Sequence, residues 1–160
     1  MNRDPLFRAR VNVENLLDRF GRQLGLGKLK FDENGVCRLV FDEQFNADIE
    51  LADDGASFYM YAVVGKIPPD NRESFYLELL SAHLFGSGTG GGTFAVDRSR
   101  DEVVFNRSFS QDLTDPDMFA REVERFVNYL ELWAGLFREG EVGRKKEPLE
   151  LPDIHRVSRV

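Results

Sequence analysis

The chain has 160 residues with 28 acidic against 21 basic side chains and a formal charge of -7, a field that repels phosphate backbones and excludes nucleic acid as a general partner. Its single cysteine, Cys37, excludes an internal disulfide and a cysteine-based zinc cluster, and suits a reducing compartment. The length fits one α+β domain, able to bury roughly 70% of its unfolded surface without covalent staples, plus a short tail.

The opening segment from Met1 to Arg10 carries Arg3, Asp4, Arg8 and Arg10 and lacks the apolar stretch of a secretory signal. Nothing later approaches the length of a membrane span. The expectation is a soluble, cytoplasmic protein with no membrane partner.

From about Ala9 to Leu24, the residues Val13, Leu16, Leu17, Phe20 and Leu24 recur at helical spacing, with Glu14, Asp18, Arg19 and Arg22 elsewhere. This predicts an amphipathic helix closed near Gly25 and Gly27. The period then changes. Val36 to Phe41 is a short apolar run after an Asn34-Gly35 turn signal, and Phe45, Ala47, Ile49 and Leu51 alternate with polar residues. Asp53-Asp54-Gly55 marks the next turn, so three sequential antiparallel strands are expected. The third, Phe58 to Val64, is apolar on both faces: Phe58, Met60, Ala62 and Val64 on one, Tyr59, Tyr61 and Val63 on the other. Both faces call for cover.

A second helix follows Pro68-Pro69, with Asp70 and Glu73 as a capping-box-like pair and Gly86 placed to end it. Two strands follow, around Thr93 to Val96 and Glu102 to Phe109, joined by the polar turn Asp97 to Asp101. The last helix has Asp115 as N-cap, Pro116 at the first helical position and a broad apolar face from Met118 to Phe137. The domain therefore covers residues 1–139. Residues 140–160, broken by Gly140, Gly143, Pro148 and Pro152 and carrying the basic run Arg144, Lys145 and Lys146, are expected to be a mobile, solvated tail.

Few residues invite chemistry. Gly86, Gly88 and Gly91 satisfy a GxGxxG spacing, but a helix precedes and a strand follows, the reverse of a dinucleotide fingerprint, so a flexible loop or close backbone packing is the reading. His83 and His155 have no second histidine at ligand spacing, and Cys37, between Val36 and Leu39, reads as a small buried hydrophobe. No serine sits in a nucleophile elbow. The expectation is no enzyme, no cofactor and no metal. What stands out is 14 phenylalanines and 4 tyrosines in a modest domain, which suits a protein that buries surface against other chains.

Three phrases give a resemblance. Leu16-Leu17-Asp18-Arg19-Phe20-Gly21-Arg22-Gln23-Leu24-Gly25-Leu26 lies in the first helix, and Phe31-Asp32-Glu33-Asn34-Gly35-Val36-Cys37 leads into the first strand. Leu79-Leu80-Ser81-Ala82-His83-Leu84-Phe85-Gly86 runs into Gly88-Thr89-Gly90-Gly91. Together, over roughly Val13 to Phe137, the chain resembles the class I type III secretion chaperones, the CesT/Tir-type family.

The resemblance implies an α-β-β-β-α-β-β-α protomer with a twisted antiparallel sheet packed by helices. It implies a homodimer formed through the second helix and the neighbouring strand, binding an extended N-terminal segment of a secreted effector without nucleotide. On that basis Leu79, Leu80, Leu84 and Phe94 are candidates for dimer packing, and Leu16, Phe20, Leu39, Phe41 and Ile49 for effector grooves. Each also suits the protomer core. Two other readings stand beside it: the same fold sequestering a transcriptional regulator of secretion, and a small enzyme or ligand-binding protein using the glycine loop.

Overall fold

In a computed structural model describing residues 4–144, the first helix starts earlier than its apolar period. Helix α1 spans Pro5–Gln23. The Asp4 carboxylate accepts the Leu6 N–H at 3.1 Å, and Pro5 needs no donor in the first turn. Leu6 and Phe7 remain exposed, so capping rather than burial fixes this start. Further along, Ala9, Val13, Leu16, Leu17 and Phe20 are buried.

Strands β1 (Val36–Phe41), β2 (Phe45–Leu51) and β3 (Ser57–Lys66) form the expected antiparallel meander. Helix α2 (Arg72–Ala82), a 3-10 turn over Leu84–Gly86, β4 (Thr93–Asp97), β5 (Glu102–Ser110) and α3 (Pro116–Arg138) complete the order. The sheet runs β1-β2-β3-β5-β4, leaving β1 and β4 at its edges.

The sheet places alternate residues on opposite faces. One face carries Leu39, Ile49, Phe58, Met60 and Phe105, all buried beneath α1 and α3. Aromatic rings join these layers: Phe119 of α3 lies 5.0 Å from Phe20 and 5.8 Å from Phe58, and Phe126 stacks at 5.0 Å on Phe105. Asp115 caps α3 as the sequence predicts, accepting the N–H groups of Asp117 and Met118. The other sheet face is open: Tyr59 and Val63 are exposed. On that face Arg38 makes two 2.6 Å hydrogen bonds to Asp48, and Tyr61 donates to Glu50 at 2.9 Å.

Two local expectations are corrected. Asp70 does not cap α2; Asn71 does, in the left-handed region at φ 55° and with no side-chain cap. Asparagine tolerates that conformation, which turns the chain out of Pro68-Pro69 into the helix. Nor does α2 run to Gly86: it ends at Ala82, and the 3-10 turn after it contains Phe85 at φ 53°. Beyond α3 the chain stays packed. Val142 is buried, and the Gly143 N–H bonds the Glu78 carboxylate. The rest of the expected tail, residues 145–160, lies outside the described residues.

Candidate functional site

Helix α2 is apolar on more than one side. Phe75 and Leu79 face the core, while Leu77, Leu80 and Leu84 follow at three- and four-residue spacing on the outside, at 65%, 69% and 63% exposure. Phe85 is 98% exposed on its left-handed backbone. A contiguous exposed apolar stripe marks a contact surface. Edge strand β4 is tied to this helix end: His83 Nε2 accepts the Phe94 N–H at 3.2 Å, and the two rings meet edge to face at 5.5 Å.

Of the four residues assigned to dimer packing, Leu80 and Leu84 therefore point outward. Leu79 is closed in the core, and Phe94 is half-buried against Trp133 and Phe105, supporting the surface from beneath. Leu77 and Phe85, exposed beside them, were not among the candidates. The spacing of Leu77, Leu80 and Leu84 carried the signal; nothing in the residue order announced the backbone turn at Phe85.

A second apolar surface is a cleft of about 380 Å³ between α1, the end of β1 and α3. Phe20 floors it, Leu24 and Phe41 form one side, and Ala120, Val123 and Val127 the other. Charge is confined to Arg121 and Glu124 among its lining residues. Of the five residues assigned to effector grooves, Phe20 and Phe41 line this cleft, Phe41 half-buried at its side and Phe20 itself only 1% exposed. Leu16 of α1 and Leu39 and Ile49 of the sheet, at 1%, 4% and 0% exposure, are closed in the protomer core and do not line the cleft. The α3 wall was legible only as surplus, because Ala120, Val123 and Val127 widen its apolar face beyond what the sheet covers.

The glycine loop is packed and self-bonded. The N–H groups of Gly86, Ser87, Gly88, Thr89, Gly90 and Gly92 all donate to carbonyls between Ala82 and Thr89. Trp133 Nε1 donates to the Gly88 carbonyl at 2.8 Å and Arg107 to that of Gly90 at 2.7 Å. Arg107 also pairs with Glu122 of α3. Gly90 sits at φ +58°, where a Cβ would lie 2.2 Å from the Tyr129 ring. Amides engaged in this way are not a phosphate cradle, and close packing is the reason for the glycines.

Other chemistry finds little footing. Among the described residues no group of three or more His, Cys, Asp or Glu side chains is arranged to hold a metal ion, and no helix is long and apolar enough to cross a membrane. Burial pushes the Cys37 thiol up, away from the reactive thiolate. The arrangement offers uncovered apolar surfaces, suited to binding another chain.

Comparison with known proteins gives these surfaces a context. The sequence profile of the Tir chaperone protein (CesT) family matches residues 15–134. A Tir chaperone of Escherichia coli is 32% identical over 143 residues, covering 88% of this chain and 89% of its own length. The Tir chaperone of Citrobacter freundii shows the same identity and coverage. Among solved structures, a chain of the HopA1-SchA chaperone-effector complex superposes with a TM-score of 0.66 at 16% identity, over 80% of this chain and 97% of that one, a likeness of fold.

Proposed function

The chain belongs to the Tir chaperone protein (CesT) family, and from that membership we propose that it is a type III secretion chaperone. It binds the N-terminal segment of a secreted effector in the bacterial cytoplasm and keeps that segment soluble and secretion-competent, with no ATP, cofactor or chemical step of its own. The observation carrying this reading is the pair of separate, uncovered apolar surfaces on one small protomer.

Each surface suits a different occupant. The stripe of Leu77 and Leu80 on α2, continued by Leu84 in the 3-10 turn, is a patch that a second copy matches by two-fold symmetry, since an isologous interface pairs a patch with itself. We assign the homodimer there, with edge strand β4 beside it. The cleft of Phe20, Leu24 and Phe41 against α3 is concave and almost wholly apolar, and takes the apolar side chains of cargo. Edge strand β1 contributes Phe41 to that cleft, so a cargo strand pairing along β1 reaches it directly.

The test is purification of the tagged full chain from its native host, with mass spectrometry of what is retained and light scattering of the complex. Two copies of the chain with one secreted protein is the expected composition. Retention of a transcriptional regulator alone would replace cargo by the regulatory reading. A monomer that retains neither would remove the proposal.

A further inference from the structure

Phe85 stands where neither its side chain nor its backbone is favoured. Its ring is 98% exposed, the opposite of where a large aromatic gains by folding. Its backbone is left-handed, at φ 53° and ψ 22°, a region open to glycine and tolerated by asparagine and aspartate but costly for a bulky side chain. Among the described residues the other non-glycine positions at positive φ are Asp42, Glu43, Asn71 and Asp101, all of them polar. Phe85 alone puts an apolar ring on such a backbone.

Hydrogen bonds on both sides hold the turn in this shape. The Gly86 N–H donates to the His83 carbonyl at 2.9 Å, and Ser87 donates its N–H and its hydroxyl to the Leu84 carbonyl, at 3.2 and 2.9 Å. The Gly88 N–H reaches back to the Ala82 carbonyl at 3.0 Å, and His83 is itself tied to edge strand β4 through the Phe94 N–H. A strained residue persists where its surroundings over-determine it, and such residues gather at contact and ligand sites. Among the described residues the Phe85 ring joins no part of the core, so the protomer gains no burial from it.

We propose that Phe85 is the anchor of the homodimer: its ring is buried against a second copy, and the gain on association offsets the strain that the free protomer carries. Two observations make the occupant a second copy. The ring follows directly on Leu84, at the end of the stripe already assigned to that contact, and a two-fold axis crossing the stripe sets the Phe85 end of one copy against the Leu77 end of the other. A phenylalanine side chain also buries roughly 150–250 Å², about a quarter of the ~800 Å² a side that a specific interface needs, and buried aromatics are the side chains that dominate such contacts. The inference rests on the homodimer reading above. It adds the residue that holds the two copies together at the expense of each one alone.

Sedimentation of the full chain over a dilution series tests this, giving the dimer Kd of wild type, Phe85→Asn and Phe85→Tyr. Asparagine tolerates the left-handed backbone and removes the ring; tyrosine keeps both the ring and the strain. Phe85→Asn should weaken the dimer about a hundredfold, because a tenfold anchor is lost once from each copy, while Phe85→Tyr should associate as wild type does. Denaturant unfolding of a protomer kept single by Leu80→Glu with Leu84→Glu supplies the second reading: there Phe85→Asn should raise the midpoint, since strain is relieved and no burial is lost. An unchanged Kd for Phe85→Asn, a lower midpoint in the single protomer, or an unchanged Kd with loss of retained cargo would each overturn the anchor, the last giving the ring to cargo. A wild type that is a dimer yet gives one of those results loses the anchor and keeps the homodimer; a wild type that is a monomer at micromolar concentration loses both.

Discussion

Trp133 donates its indole N–H to the carbonyl of Gly88 at 2.8 Å, joining α3 to the glycine loop across 45 residues of sequence. Replacing Trp133 by Phe keeps most of the ring and removes the donor, leaving a part-buried carbonyl unpaired. The expected cost is about 1–3 kcal/mol, read as a lower midpoint in denaturant. Gly90→Ala should cost more, because it adds both a left-handed alanine and an overlap with Tyr129. A Trp133→Phe midpoint equal to wild type would mean that the loop is not held this way.

Much of the fold was legible because it depends on period and caps. The change from helical spacing in α1 to alternation in β2, and the Asp115-Pro116 start of α3, are local signals, and the structure places those elements as read. Asn71 was missed because a capping-box pattern at Asp70 and Glu73 competes with a turn set by two prolines. The candidate site was harder. Leu79 and Leu80 are adjacent and identical in type, yet one is closed in the core and the other is 69% exposed; only the helix direction separates them. Likewise Leu16 and Phe20 share a helix face and are both 1% exposed, and only the space that α3 leaves beside Phe20 puts one of them against a cleft.

That contrast gives a prediction for α2. Leu80→Glu with Leu84→Glu alters exposed side chains and leaves the protomer core untouched, so circular dichroism should stay that of the native fold. Sedimentation at micromolar concentration should change from a two-copy to a one-copy mass. Leu79→Ala, by comparison, should lower stability by about 2–5 kcal/mol, as a buried leucine does. A double-glutamate variant that still sediments as a dimer would place the second copy elsewhere.

For the cleft, Leu24→Glu is informative because Leu24 is 53% exposed and its loss leaves the core intact. It should weaken cargo retention by about tenfold or more, the scale of one buried apolar anchor. Dimer mass and thermal midpoint should hold. Unchanged cargo affinity in a folded Leu24→Glu protein would remove the cleft as a cargo site.

Tyr61 offers a test by pH at the last paired position between β2 and β3. Burial first, and then its hydrogen bond to Glu50, push its phenol up from 10.0 to about 12. Folding therefore favours the protonated form. The stabilising contribution is complete below about 10, where the unfolded chain's tyrosine ionises, and is lost as pH rises towards about 12. An absorbance titration of the folded protein should show a component near that upper value that Tyr61→Phe abolishes. Glu50→Gln should bring it part of the way back to 10 and no further, because burial, the larger cause, remains. Any stability advantage of wild type over Tyr61→Phe should shrink across the same interval. If Glu50→Gln instead restored an ordinary phenol, the neighbouring carboxylate rather than burial would dominate, and Tyr61 would have to be more open to water than its place in the sheet gives it.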